Sequence, residues 1–322
     1  MVYKSIIEGK SGIIARVVAD STSPEGKRIT TFELEYPRFI HSELMTHRLF
    51  SRNAMSSRAV PIKKMIEQVK SSPAMPVHWG RNQPGMQAKE EHGNVEACKN
   101  AWKHIAKTMA EGAEVLDDNG LHKQVVNRIL EPFQMMKAIV TATEYDNFFW
   151  LRVHEDAQPE IYELAKCMQE AVKESRPESL RYDEWHTPYV QHMNNENGDL
   201  QYYVDSNGHT EVLTLEEALK VSSSCCAQVS FRLLNNSKDK AIDIYNKLVE
   251  SKPVHSSPFE HQAKPVHKND YINEWRTVNT PSEPTSWQQG ITHSDKNGNL
   301  WSGNLKGWIQ HRQLIPENTY WG

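Results

Sequence analysis

The chain has 322 residues, 38% of them apolar, enough to bury a sizeable core as one large domain or two small ones. With 37 basic against 41 acidic residues its formal charge is −4, so composition gives no electrostatic case for nucleic acid or a membrane surface as a partner. Nothing near the N-terminus reads as a signal peptide, and no apolar run approaches the roughly 18 residues that span a bilayer, so a soluble, cytoplasmic protein is expected.

In chain order, Ile29 to Ile40, where Thr, Phe, Leu, Tyr and Ile recur, has the pattern of a strand. The run from Thr46 to Arg58 then sets Arg48, Arg52, Arg58, the His47 imidazole, the Asn53 amide and several hydroxyls among only four apolar side chains. Such a run suits anions, because guanidinium forks match phosphate geometry and hydroxyls or a nearby helix N-terminus add donors. Its donors are expected where sheet gives way to loop.

A helix is predicted over Val95 to Leu116, with Trp102, Ile105, Met109, Ala113 and Leu116 near one face and Gly120 just beyond its end. A second spans His122 to Leu130 and stops before Pro132. A third spans Ala157 to Glu174, with Ile161, Leu164, Ala165, Met168 and Val172 as its stripe, and stops before Pro177. Leu200 to Val204 and Thr210 to Leu213 flank a turn centred on Asn207-Gly208 and read as a β-hairpin within an insertion at 195–214. Helices follow from Leu215 to Val229 and from Lys238 to Glu250, the latter burying Ala241, Ile244, Tyr245, Leu248 and Val249.

Residues 264–304, rich in Asn, Ser, Pro, Gly and His, read as a long, partly ordered loop. No internal repeat or low-complexity tract is present, and the whole of 1–322 is taken as a single domain. Cys98, Cys167, Cys225 and Cys226 show neither a disulfide framework nor CxxC spacing, and Cys225 and Cys226 are expected as small, half-buried side chains on a helix. The fifteen histidines include no HExxH, and no metal is assigned.

Three blocks resemble the flavin-dependent thymidylate synthases, the ThyX family. His47-Arg48, Ser51, Asn53, Ser56 and Arg58 match the spacing of that family's signature, Arg-His-Arg followed by seven residues and Ser. Between Arg128 and Ile161, the residues Arg128, Pro132, Asn147, Leu151-Arg152 and Ala157-Gln158-Pro159-Glu160-Ile161 resemble a second family stretch. His255 to His261 resembles the His-x-Thr-Pro-Phe-Glu-His element, and Ala227-Gln228-Val229-Ser230 its Ala-Arg-Val-Ser, yet in the family this block precedes the signature. A circular permutation accounts for the displaced order, since chain order can change where termini lie close. Gly307 to Arg312 partly repeats the approach to the signature and would restore a strand after the displaced block.

The resemblance implies an α+β fold, a ThyX-like mixed sheet with flanking helices in permuted block order. It also implies a reaction: methylenetetrahydrofolate supplies one carbon, NADPH reduces FAD, and C5 of dUMP is methylated without an enzymic cysteine nucleophile. No cysteine here has flanking basic residues to lower its pKa, which suits that chemistry. Arg152 becomes the catalytic candidate, because a guanidinium against a pyrimidine carbonyl and N3 stabilises negative charge on the ring. Position alone would give it an ion pair with Glu155 or Asp156.

By the same resemblance Ser56, Ser57, Arg58 and Arg128 would hold the nucleotide phosphate, with Glu43 beside that site. His47, Arg48, Asn53, Asn147, His255 and Ser257 would contact FAD. The family's active sites lie between subunits, which implies a homotetramer. Departures are also visible: Thr46 replaces the first Arg of the signature, Ala54 a Glu, Glu43 a Gln and Asp156 a His, while Thr141 and Thr143 replace an Asn and an Arg that meet the flavin. They leave open dCMP or UMP as acceptor, a hydroxymethyl product, or a non-catalytic nucleotide-binding protein. An RNA-binding role is opposed by the acidic balance and by the lack of a broad basic stripe with interleaved aromatics.

Overall fold

The computed structural model describes residues 3–206, 209–230, 237–267 and 287–319. Strands β1 (Ser5–Glu8), β2 (Ile14–Thr22) and β3 (Arg28–Pro37) form an antiparallel ladder. The turn between β2 and β3 is tight: the Ser23 amide donates to the Lys27 carbonyl at 2.9 Å, and Gly26 adopts φ +72, a conformation glycine takes without penalty. β3 is the predicted strand, shorter at its far end because Arg38–Ile40 wind into a 3-10 turn after Pro37.

The chain continues through α1 (His41–Leu44), β4 (Ser51–Ala54), α2 (Ile62–Ser71), α3 (Val95–Asp118) and α4 (Lys123–Val126) to β5 (Met135–Ala142), α5 (Asp146–Arg152) and α6 (Pro159–Glu174). The sheet order is β1-β2-β3-β5-β4, and β6 (Glu178–Ser179) pairs parallel with β2, so the sheet is mixed. The signature run, expected where sheet gives way to loop, also contains a strand of its own, with β4 on the sheet edge beside β5.

Alternation assigns the two faces of this sheet. Phe32, Leu34 and Tyr36 of β3 and Met136, Ala138 and Val140 of β5 face a core closed by Ile161, Leu164, Ala165 and Met168 of α6. α6 starts two residues later than predicted because Gln158 is its N-cap, accepting from the amides of Glu160 and Ile161 at 3.1 Å, with Pro159 in the first turn. The predicted second helix is α only over α4; Asn127–Phe133 is 3-10 and contains Pro132, whose ring is incompatible with an α-helical interior. α3 buries Ala106, Ala110 and Ala113 against α2, and Ile105, expected on its buried face, is 49% exposed.

On the opposite face Thr31, Thr141 and Ser51 lie in one row across β3, β5 and β4. The C-terminal half packs there. β7 (Gln191–Asn194), β8 (Leu200–Ser206) and β9 (His209–Leu213) form a three-stranded antiparallel sheet, so the predicted hairpin gains a third strand; Asn207-Gly208 lie outside the described residues. Next come α7 (Leu215–Ala227), closed by a Thr214–Glu217 capping box, and α8 (Lys238–Glu250). Cys225 and Cys226 are fully rather than half buried on α7.

The predicted loop over 264–304 is structured at both ends, while residues 268–286 lie outside the described residues. β10 (Ala263–Pro265) opens it, and β11 (His293–Ser294) and β12 (Leu300–Ser302) close it, followed by β13 (Leu305–Lys306) and β14 (Trp308–Gln310). Strands this short are too brief for a period-2 signal. β14 is the strand expected after Gly307, but it pairs with β10 and not with the main sheet. Among the described residues no group of three or more His, Cys, Asp or Glu could hold a metal ion, and no helix is long and apolar enough to cross a membrane.

Candidate active site at the signature turn

The turn between α1 and β4 is held from inside by Arg52. Its guanidinium donates to the carbonyls of Leu44, Met45 and His47 at 3.4, 2.7 and 3.1 Å, satisfying acceptors that the end of a helix leaves open. This arginine, counted in the sequence among the anion donors, is thus a backbone clamp. Thr46, where the signature has an Arg, donates its hydroxyl to the Glu43 carbonyl at 2.7 Å.

Held this way, the turn presents His47 edge-on to Phe148, ring centroids 4.7 Å apart, and beside Phe50 at 5.7 Å. Arg152, the last residue of α5, donates its Nε–H to His47 Nε2 at 3.0 Å. A guanidinium can only donate, so Nε2 carries the lone pair and the imidazole is neutral with its proton on Nδ1. Burial, then the nearby Arg152 and Arg52 charges, push the His47 pKa down to about 4. Arg152 also lies 3.8 Å from Glu43 Oε2, so its carboxylate partner is Glu43 and not Glu155 or Asp156.

Two hollows lie beside these residues, one lined by Arg152 and the other by Glu43. The smaller, about 270 Å³, is bounded by Thr46 to Phe50 on one side and by Glu144, Asn147, Phe148, Leu151 and Arg152 on the other. Arg48 and Asn147 are exposed there, and neither side chain has a hydrogen-bond partner among the described residues. The larger, about 590 Å³, is lined by Glu43, Phe39, Trp102, Asp156, Gln158 and their neighbours.

The other candidates fall elsewhere. Asn53 on β4 donates to the Cys226 carbonyl at 2.6 Å, and its Oδ1 accepts from Ser257 Oγ at 3.5 Å, so the amide is engaged within the chain at both ends. Ser257 belongs to the displaced block, which the fold thereby places against the signature strand; His255 in the same block is exposed, its amide donating to the Leu248 carbonyl. Ser56, Ser57 and Arg58 lie where β4 gives way to α2. The Ser57 carbonyl accepts from Asn127 Nδ2 at 2.7 Å, and Arg58 and Arg128 are exposed, the latter 3.4 Å from Glu131. None of Ser56, Ser57, Arg58 or Arg128 lines either hollow.

Sequence reasoning missed the fully buried Asn127 and, although it named Arg52 and Thr141, missed the partners that hold them. Thr141 Oγ1 lies 2.7 Å from Thr31 Oγ1 and 2.9 Å from Nδ1 of buried His261, while Thr143 Oγ1 accepts from the Lys306 amide at 2.9 Å. Thr141 and Thr143 are therefore tied to the C-terminal half. No local signal marks such contacts, which cross 120 and 163 residues.

Residues 8–178, more than half of the chain, match the family described as "Thymidylate synthase complementing protein". The chain belongs to that family. Two crystal structures of a UMP/dUMP methylase, PolB from Streptomyces cacaoi, are similar to this thymidylate synthase complementing family member. The one bound with 5-Br UMP is 17% identical, at a TM-score of 0.43, over 52% of this chain and 92% of that one. The one bound with 5-Br dUMP is 18% identical at the same TM-score, over 52% of this chain and 93% of that one. No curated protein matches the chain. The family match stops at residue 178, so α7, α8, the displaced block and the strands β10 to β14 all lie beyond it.

Proposed function

We propose that this chain is a flavin-dependent thymidylate synthase, methylating dUMP at C5 with methylenetetrahydrofolate and NADPH. The observation that carries the reading is the Glu43–Arg152–His47 contact in a chain of this family: a guanidinium fixed by a neutral imidazole at the smaller hollow, with its carboxylate partner lining the larger. A guanidinium fixed before the substrate arrives stabilises charge developing on a pyrimidine without reorganising during the reaction.

The donors at the smaller hollow fit the chemistry of FAD. Arg48 and Asn147 are exposed to it without partners among the described residues, and aromatic rings line its floor. Its volume suits one ring system or phosphate group rather than a whole dinucleotide. When bound, FAD supplies the hydride that completes the methyl group. His47, Arg48 and Asn147 would hold it, and Arg152 would orient and polarise the pyrimidine. Ser56, Ser57, Arg58 and Arg128 would then serve the phosphate from outside these hollows, an arrangement that a homotetramer with shared sites would complete. We read the displaced 255–261 block, seated against β4 through Ser257, as a circular permutation.

A second reading concerns the acceptor. Glu43 beside Arg152 pairs a hydrogen-bond acceptor with a donor, which complements the amino group and N3 of cytosine, so dCMP competes with dUMP as substrate. The test is anaerobic incubation of the protein with FAD, NADPH, methylenetetrahydrofolate and dUMP, dCMP or UMP, read by mass spectrometry of the nucleotide. A methyl on dUMP supports the first reading, and a methyl or hydroxymethyl on dCMP or UMP replaces it. No product and no bound flavin would leave a nucleotide-binding protein.

A further inference from the structure

The smaller hollow is braced at both rims by one two-residue step in the C-terminal hairpin. β12 and β13 are joined by a turn in which Gly303 adopts φ +59 and Asn304 stands at the tip. The Asn304 amide donates to the Leu49 carbonyl at 3.1 Å, and its Oδ1 lies 3.0 Å from Ser51 Oγ. It thus holds the chain on either side of Phe50, the ring against which His47 packs. Gln310 Nε2, on β14, joins the same Oδ1 at 3.0 Å and Ser51 Oγ at 3.1 Å.

Two residues on, Lys306 holds the facing rim. Its amide donates to Thr143 Oγ1 at 2.9 Å, and its ammonium lies 3.2 Å from Glu144 Oε1. Leu49 and Glu144 both line the hollow, from segments 95 residues apart in the chain. The turn residue Asn304 and the strand residue Lys306 thus tie one short hairpin to both segments that line the hollow. Asn304 and Lys306 both lie beyond the residues matched by the family.

We propose that Asn304 and Lys306 are positioning residues that set the aperture of the smaller hollow, so that the C-terminal hairpin governs how tightly this site grips its ligand. The identification of that ligand as FAD rests on the reading given under Proposed function; the bracing itself does not.

The experiment uses the full chain and four variants: Asn304→Ala, Lys306→Met, their combination, and Lys306→Arg. Amide hydrogen exchange of the ligand-free protein is followed in peptides covering 46–53 and 143–152, with α6 and β2 as internal references, and FAD is titrated by quenching of its fluorescence. Each truncation is expected to speed exchange in the peptide on its own rim and the double variant in both, with the references unchanged. Removing one or two hydrogen bonds should weaken FAD by about 3- to 10-fold, and Lys306→Arg should stay within about 2-fold of the parent. Exchange unchanged in both single variants would overturn the proposal, and so would acceleration spread evenly over the references, which marks general destabilisation. If the double variant fails to fold, the single variants decide. If the parent chain binds no FAD, the functional reading fails, and exchange alone still decides the brace.

Discussion

Arg152 Nε and His47 Nε2 are 3.0 Å apart, and each constrains the other: the arginine forces the imidazole to stay neutral, and the imidazole fixes the direction of the guanidinium. Neither could do so alone. The pair also joins the end of α5 to the signature turn, two segments 105 residues apart in the chain.

Replacing Arg152 by Ala is expected to abolish nucleotide turnover, by at least about 100-fold in kcat/KM if it supplies transition-state charge stabilisation. The cost to folding should be only about 1 kcal/mol, that of one ordinary hydrogen bond, because the side chain is 24% exposed. Mass spectrometry of the nucleotide beside urea denaturation checks both, and turnover at the parent rate would remove Arg152 from catalysis.

The His47 imidazole should titrate near pH 4, since burial and two neighbouring guanidiniums oppose its charged form. In Arg152→Ala one of those charges is gone, so the midpoint should move up toward the ordinary histidine value. An NMR titration of the ring protons measures it. A midpoint near 6.5 in the parent would contradict the geometry.

Stability should fall on acidification well before the carboxylates titrate. Burial holds His186 and His261 down to about 3 and His311 to about 4, each below the unfolded value near 6.5. The unfolded chain therefore binds protons that the folded chain refuses. Their contribution is complete above about pH 6.5 and is lost as pH falls through the interval down to 3–4, by at most about 1.4 kcal/mol per pH unit for each group. Melting temperature recorded from pH 7.5 to 4.5 should decline steadily, and a flat profile would count against neutral burial of these rings.

Asn127 offers a separate handle on the Ser56–Arg58 segment. Its Nδ2 donates to the carbonyls of Ser57 and Val60 at 2.7 and 3.2 Å from a fully buried position. Asn127→Ala leaves both acceptors without this donor and should cost roughly 1–3 kcal/mol. It should also weaken dUMP, measured by calorimetry, with no change to any side chain proposed to touch the phosphate. Undiminished affinity in a destabilised variant would detach that segment from the nucleotide site.

How much of this could be read in advance depended on distance along the chain. The 3.6-residue stripe of α6 and the strand pattern of β3 lie within single segments, whereas His47, Arg48 and Arg152 stood out only through the resemblance to a known family. What stayed hidden was which donors were already engaged. A guanidinium has the same sequence signature whether it faces a phosphate or, like Arg52, three carbonyls of its own turn. The Asn53 amide looks like a free donor until the Cys226 carbonyl, 173 residues away, is folded against it. The small strands from β10 to β14 escaped because two or three residues cannot show alternation.

The row of hydroxyls on the sheet sets an order of assembly. Ser51 meets Asn304 and Gln310 across 253 and 259 residues, Thr141 meets His261 across 120, and Thr31 meets His186 across 155. On a ribosome, β1 to β5 emerge with their apolar face ready to close on α6, while this row lacks its partners until His186, His261, Asn304 and Gln310 have been synthesised. The edge strand that carries the signature is thus finished late, because the partners of Ser51 are made more than 250 residues after it.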